Sequence, residues 1–238
     1  MIPSVYDQVN SFSKYDEFFL ALLERINVKK LADLGCGTGR LTRYFAEAGY
    51  QITAVDPNEE AIEIAKTKGF DEQVEWVVGD STYLQSNSFD TVIMTANVAQ
   101  VFLTDESWEK VIFDVYNSLK PGGHFIFDTR NPLTKVWESW QLDTTPDYVV
   151  DEKSGESLKI ITHYEDYVDG VFTFYETVKN ATTNEILDQV KMQLKFRTEE
   201  ALHHSLTQVG FSDIVNYGDA QFERATNTSN SFIFHCIK

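Results

Sequence analysis

Two rhythms of apolar positions run along the chain. Up to about residue 130, apolar runs of strand length alternate with longer stretches spaced for helices. A helix is expected over 14–27, where Phe18, Phe19, Leu22, Leu23 and Ile26 fall on one face. Strands are expected at 29–35, 51–56, 74–80, 89–95 and 124–129. Helices are expected between them: 40–48, closed by Gly49; 57–69, with Pro57 in its first turn; and 105–120, stopped by Pro121-Gly122-Gly123. Strands alternating with helices at this pitch form a doubly wound parallel sheet. The rhythm then changes. From about Leu158 to Arg197 three strand-like runs follow one another, the first two meeting at Asp169-Gly170, a tight-hairpin signal. In the third, Val190, Met192, Leu194 and Phe196 alternate with Gln189, Lys191, Gln193 and Lys195, so the insert is an antiparallel meander with one wet face. A helix over 198–210, capped by Thr198 and ended by Gly210, precedes two last strands.

Composition narrows the classes. A chain of 238 residues suits one elaborated domain, and 42% hydrophobic residues supply its core. The formal net charge is −17 and no basic cluster interrupts it, so neither nucleic acid nor an anionic membrane is an expected partner. The acidity keeps the protein soluble or favours a cationic ligand. No apolar run approaches the roughly 20 residues that span a bilayer, and the first residues lack the basic and apolar regions of a secretory leader. Two cysteines, Cys36 and Cys236, argue against a disulfide framework and for a reducing, cytoplasmic setting.

Candidate chemistry begins at Asp33-Leu34-Gly35-Cys36-Gly37-Thr38-Gly39, where the first strand turns into a helix. Glycines there let a ligand lie against the backbone and the helix start. A dinucleotide-binding turn would read G-x-G-x-x-G and seat a pyrophosphate. Here the spacing is G-x-G-x-G, and Asp33 before it repels a pyrophosphate and attracts an ammonium group. The second strand ends in Asp56, able to accept two ribose hydroxyls. The third ends near Asp80, able to accept from an adenine amino group. The ligand suggested has an ammonium group, a ribose diol and an adenine, but no phosphate. Cys36 reads as a small filler, with no basic partner to activate it.

This set resembles the class I S-adenosylmethionine-dependent methyltransferases. "DLGCGTG", "AVDPNEEAIEIA", "VVGDSTYL", "FDTVIMTANVAQVF" and "LKPGGHFIFD" occur in order and at that family's spacing, over roughly residues 30–130. The resemblance implies a Rossmann-like, seven-stranded, mostly parallel sheet with an antiparallel last strand, an antiparallel β insert after the fifth strand, and S-adenosyl-L-methionine as cofactor. It implies that Gly35 and Gly37, with Cys36 and Gly39 in the same turn, lie under the methionine part. Asp56, beside Pro57, would hold the ribose. Asp80, beside Ser81, would face the adenine, and Thr95, Ala96 and Asn97 would line the methionine part. An N-terminal helix carrying Tyr6 or Tyr15 would cap the cofactor. The implied division is a helical cap at 1–28, a cofactor-binding core at 29–130, a lid insert at 131–197, and completion of the sheet by 198–238.

The acceptor is less legible, because in a displacement at a sulfonium the protein mainly positions the nucleophile and excludes water. No N/D-P-P-Y/F tetrapeptide follows the fourth strand and no Pro-Cys pair occurs, which disfavours methylation of adenine bases, protein glutamine or base C5. A small-molecule N or O acceptor is expected. The insert, followed by "KFRTEEALHHSL", is similar in layout to that of amino-sugar N-methyltransferases, where it covers the acceptor pocket. His163, in the first run of the insert, is the candidate base, since imidazole titrates near neutrality. Arg130 is a candidate anchor for an acidic acceptor group. Gln100 and Trp137, with Trp140, are candidates to line the acceptor pocket. His203 and His204 are adjacent on a helix and point apart, so no metal site is expected. A non-catalytic cofactor-binding regulatory protein stays open, as do the oligomeric state and the methylated atom.

Overall fold

The computed structural model describes residues 3–151 and 154–238. Two helices come first, α1 (Pro3–Val9) and α2 (Lys14–Arg25). Ser13 starts α2 with a capping box: its hydroxyl accepts from the Tyr15 amide, and Asp16 accepts from the Ser13 amide at 2.8 Å. Then β1 (Lys30–Leu34), α3 (Thr42–Glu47), β2 (Gln51–Asp56), α4 (Glu59–Lys66), β3 (Val74–Val78), β4 (Phe89–Met94), α5 (Asp105–Ser118) and β5 (Leu119–Arg130) alternate. The insert comprises α6 (Val136–Leu142), β6 (Asp147–Val150), β7 (Ser157–Val168), β8 (Val171–Asn180) and β9 (Ile186–Lys195). The chain closes with α7 (Glu199–Val209), β10 (Ser212–Gly218) and β11 (Ser231–Ile237).

The main sheet has seven strands in the order β10-β11-β5-β4-β1-β2-β3. β1 to β5 are parallel, and β11 runs antiparallel between β5 and β10. Strand alternation sorts the central side chains between two helical layers. Phe125, Phe127, Phe232 and Phe234 pack with Trp108 of α5 and Leu202 and Leu206 of α7. Leu31, Ile93, Ile126 and Ile233 pack on the other face with Phe18, Phe19, Leu22 and Leu23 of α2 and Phe45 of α3. Trp108 donates its indole N–H to Ser205 at 2.9 Å, which fixes α5 against α7.

The insert is a four-stranded antiparallel sheet, β6-β7-β8-β9, one strand more than the three expected. β6 has only four residues, too few to register as an alternating run. The Asp169-Gly170 turn has both residues at positive φ, +50° and +80°, the mirror-image turn that suits hairpin twist. One end of the sheet buries Leu158, Ile160 and Val178 against Val149 and Val5 of α1. The other end buries Phe172, Leu194 and Phe196 against Trp137 of α6. Gln8 of α1 also serves the edge strand β6: its side-chain amide donates to the Val150 carbonyl at 2.7 Å and accepts from the Val150 amide at 3.1 Å. The N-terminal helix thus belongs as much to the insert as to the core.

Away from the carboxyl ends of the parallel strands, His124 of β5 and His235 of β11 meet ring to ring, Nδ1 to Nε2, at 2.9 Å. Burial, then the neighbouring His124, depresses His235 to about 4. A histidine depressed in the fold is neutral there while its unfolded counterpart takes a proton. Its contribution is therefore complete above the unfolded value of about 6.5 and is lost as pH falls toward 4. Relative to a His235→Gln variant, the wild type should lose about 2 kcal/mol of unfolding free energy between pH 7 and pH 4.5. Urea titrations at the two pH values measure the difference, and parallel behaviour of the two proteins would refute it.

Candidate functional site

Strand order reverses between β1 and β4. From β1 the chain moves outward through β2 and β3, and from β4 it moves the other way to β5. The carboxyl ends of β1 and β4 therefore flank a crevice, the usual ligand site of such sheets. A cavity of about 310 Å³ lies there. Its floor is the glycine turn. Asp33, at the end of β1, is 1% exposed. Its Oδ2 accepts from the Thr42 hydroxyl at 2.6 Å, while Oδ1 is buried without a partner. Desolvation raises this carboxyl to about 7, against the Thr42 hydrogen bond and with a further push from Asp56.

Gly35 and Gly37 both need positive φ, +80° and +54°. A Cβ on Gly35 would stand 2.6 Å from the Val98 side chain, so this turn can only pass beneath the fourth-strand loop bare. A Cβ on Gly37 would meet nothing within 4 Å and would project into open space. The Gly37 amide donates to Asp56 Oδ2 at 2.8 Å, and Asp56 Oδ1 accepts from the Asn58 amide at 2.8 Å. Two strand ends are thus tied together at the ligand rim.

Side walls come from several elements. Tyr6 of α1 lines the cavity, its hydroxyl pushed up by burial. Met192 of β9 lines it from the insert. Arg40 lines it too, held by a bidentate pair with Asp16 of α2 at 3.0 and 3.1 Å. The Thr38 hydroxyl donates to Asp7 of α1 at 2.6 Å, and Lys68 reaches both Asp7 and the Thr38 carbonyl, so α1 is latched onto the glycine turn.

Of the residues singled out in the sequence, Tyr6, Asp33, Gly35, Cys36, Gly37, Asp56, Thr95 and Ala96 line this one cavity. Burial pushes the Cys36 thiol well up, which keeps it neutral and unreactive. Gly39 closes the turn through its amide to the Cys36 carbonyl at 3.0 Å and is not a lining residue. Asp80 and Pro57 share a separate shallow cleft with Tyr83. Asp80 Oδ1 accepts from the Thr82 amide and hydroxyl, which hold its carboxyl below the ordinary range. Ser81 is buried and donates to Asp114 at 2.6 Å. Tyr15 and Asn97 stand behind the cavity wall, and both bond to Asp128.

The acceptor candidates are dispersed. His163 is exposed and lies in an open cleft of about 690 Å³ with Glu165, Asp166, Thr173 and Gln193. Strand parity is the reason. His163 pairs with Tyr175, whereas Phe174 pairs with Tyr164 and with Met192, which lines the rim cavity. His163 is therefore on the opposite face of the insert sheet from the cavity, and a base role there has no geometric support. Trp137 is 7% exposed and stacked on Tyr167 at 4.0 Å, with Phe196 edge-on, so it is core of the insert. Gln100 is 0% exposed. Its amide accepts from Arg130 at 2.8 Å and donates to the Lys195 carbonyl at 3.4 Å, leaving it a bridge between β5 and β9. Arg130 lies beneath the ring of Trp140 at 4.8 Å, and burial lowers its pKa.

Three residues near the cavity escaped the sequence reading. Arg40 follows the glycine turn and looked like an ordinary helix residue. Met192 was legible only as one apolar position among four. Asp128 carries a signal in the sequence: an acid inside "HFIFDT", a strand otherwise suited to full burial. Among the described residues no cluster of three or more His, Cys, Asp or Glu could hold a metal ion, and no helix is long and apolar enough to cross a membrane.

Part of the chain matches a known domain. Residues 32–127 match the methyltransferase domain. The cypemycin N-terminal methyltransferase of a Streptomyces species is 37% identical over 145 residues, 55% of this chain and 58% of that protein. The chain therefore spans little more than half the length of that relative. The glycine/sarcosine N-methyltransferase of Aphanothece halophytica is 28% identical over 236 residues, 95% of this chain and 82% of that one. In fold, the chain resembles CalS10, an amino pentose methyltransferase from Micromonospora echinaspora solved with S-adenosylmethionine bound. The TM-score is 0.69 at 18% identity, covering 98% of this chain and 96% of that one.

Asp33 is held at a cost in the ligand-free protein. A folded carboxyl raised to about 7 keeps its proton where the unfolded one, near 3.8, has lost it. Stability is thus lost as pH rises through that window, fully so above 7. Asp33→Asn should accordingly stabilise the ligand-free protein by about 1–3 kcal/mol at pH 8 and by less at pH 5. Thermal melts at the two pH values test this, and a variant destabilised at pH 8 would contradict it.

Proposed function

We propose, from the membership of residues 32–127 in the methyltransferase domain family, that this chain transfers a methyl group from S-adenosyl-L-methionine to a small-molecule N or O acceptor. The observation that carries the reading is that Asp33, whose Oδ1 is buried and unpartnered, lines one cavity with bare glycine backbone and with Asp56. A buried acceptor without a donor costs about 1–3 kcal/mol, which a ligand ammonium group would relieve. The donor set fits the cofactor: an acid for its ammonium group, glycines that leave room along the turn, and a second acid for the ribose. Bound S-adenosylmethionine would supply a methyl group already activated for displacement.

The chain's own residues then have distinct tasks. Asp33 holds the ammonium group, and Asp56 the ribose diol. Thr95 and Ala96 wall the methionine part. Asp80, in the shallow cleft with Pro57, is assigned to the adenine edge. Tyr6 and Met192 close the cavity from α1 and β9 and exclude water. Arg130 is a buried guanidinium bonded to the Gln100 amide and does not line the cavity, so no acceptor group is assigned to it. The named activity of the Aphanothece relative, on glycine and sarcosine, supports an acceptor that carries both an amine and a carboxylate. With His163 on the far face, an acceptor amine that enters neutral needs no base before transfer and loses its proton to water afterwards, whereas a hydroxyl acceptor would give its proton to water.

Asp56→Ala should weaken S-adenosylmethionine binding by about 1–3 kcal/mol through loss of charge-assisted bonds, measured by titration calorimetry on the folded variant. Gly37→Ala should also weaken it severely, because the new methyl group would project into the cavity from a left-handed backbone. The deciding assay is production of S-adenosylhomocysteine over a panel of amino acids, amino sugars and neutral amines. Acceptor-dependent product supports the enzyme. Tight cofactor binding with no product from any acceptor class would favour the regulatory reading.

A further inference from the structure

Asp128 has no part in the chemistry above, yet it is a fully buried carboxyl, 0% exposed, in the central strand β5. Its two oxygens are both acceptors. Oδ1 takes the Asn97 amide at 2.9 Å, and Oδ2 takes the Tyr15 hydroxyl at 3.2 Å. Burial raises its pKa to about 6, while these two bonds and the Arg130 charge work the other way. The charged and titratable groups around it are Tyr15 on α2, Tyr6 on α1 and Arg130 on its own strand. An uncharged side chain would build the same strand at lower desolvation cost, so the carboxyl needs a reason.

The reason lies in what the two donors belong to. Ala96 and Asn97 are consecutive non-glycine residues in left-handed conformation, φ +57° and +64°. Such a pair persists only where its surroundings hold it. Thr95, Ala96 and Val98 of that turn line the rim cavity. Tyr15 opens α2, and its neighbour Asp16 grips Arg40, which lines the same cavity. One buried carboxyl thus joins the turn that lines the cavity to the helix that holds Arg40 in its wall.

We propose that Asp128 is a positioning residue of the cofactor site: by accepting the Asn97 amide and the Tyr15 hydroxyl together, it locks the Ala96–Asn97 turn and the first turn of α2 in the arrangement that fits the cofactor. The proposal rests on the methyl-donor reading of the cavity. It differs from direct ligand contact, since neither Asp128 nor Tyr15 lines the cavity.

The test uses the full chain with S-adenosylmethionine and S-adenosylhomocysteine as calorimetric probes. Asp128→Ala should weaken both by about tenfold or more. Asp128→Asn should retain most of the affinity, because its amide can still accept from Asn97 and can donate to the Tyr15 oxygen. Tyr15→Phe should weaken binding severalfold with little change in thermal midpoint. The double variant Asp128→Ala/Tyr15→Phe should be no weaker than Asp128→Ala alone. Amide exchange supplies a readout independent of ligand: Asn97 protection should fall in Asp128→Ala and survive in Asp128→Asn. Should Asp128→Ala fail to fold, Tyr15→Phe and Asp128→Asn decide. Unchanged affinity in Tyr15→Phe, additive losses in the double variant, or an Asp128→Asn variant as impaired as the alanine would each overturn the proposal. A wild-type chain that binds neither probe would instead sink the methyltransferase reading itself.

Discussion

Everything at the rim depends on a carboxylate that the fold buries and half satisfies. Asp33 ends β1 in the middle of the sheet, where a polar group has no easy route to water. The chain answers with a tight turn directly above it. The Gly35 amide returns to the Val55 carbonyl at 2.7 Å, and Thr42, itself buried at the start of α3, gives its hydroxyl to one carboxylate oxygen. Because the turn is bare backbone, the fourth-strand loop can close over it, with Val98 against Gly35. Because the second oxygen is left over, the protein carries a standing demand for a donor. Sheet order, glycine spacing and the short helix α3 are parts of one arrangement around that atom.

The insert is fastened to the core by contacts that also shape the cavity. Val5 of α1 packs into one end of its apolar face, and Gln100 bridges β5 to the carbonyl of Lys195 near the other. Asp7, two residues beyond Val5, is latched to Thr38 in the glycine turn. Movement of the insert would therefore pull on α1, and movement of α1 would pull on the floor of the site. Met192 reaches the cavity because it shares a face with Phe174, the face that these contacts press toward the core.

The parallel core was legible because its central strands are apolar runs buried on both faces, and its helices announce their ends with Gly, Pro or a capping side chain. Asp33, Asp56 and the glycines were legible because they break that pattern at strand ends. What the sequence hid depends on tertiary neighbours. β6 is too short to show a period, and it is held because Gln8 of α1 pairs with Val150 and Val5 packs with Val149. His163 went astray by parity: one residue along β7 separates the inner face from the outer, and nothing local fixes which is which. Gln100 and Trp137, candidates to line the acceptor pocket, are buried in packing and bridging contacts instead. Asp80 and Ser81 turn part of their polarity back on Thr82 and Asp114. Asp128 was visible as an anomaly, but its partners, Tyr15 and Asn97, are far off in sequence.

Charge decides between the two ligands that a glycine-rich turn can seat. A pyrophosphate laid along Gly35 to Gly37 would lie beside the carboxyl groups of Asp33 and Asp56, residues that both line the same cavity. The nearest guanidinium, Arg40, is already committed to Asp16 through both terminal nitrogens. Arg130 is committed to Gln100 and sits behind the wall. The cavity thus offers acceptors and little free positive charge, within a chain of net charge −17. At about 4 Å and an effective dielectric near 20, an uncompensated like-charge contact with the Asp56 carboxylate would cost about 4 kcal/mol, and Asp33 adds to it only as far as it is ionised. A ligand bearing an ammonium group and a ribose meets complementary atoms at the same positions. Its arrival would favour the ionised form of Asp33, whose burial otherwise raises this carboxyl.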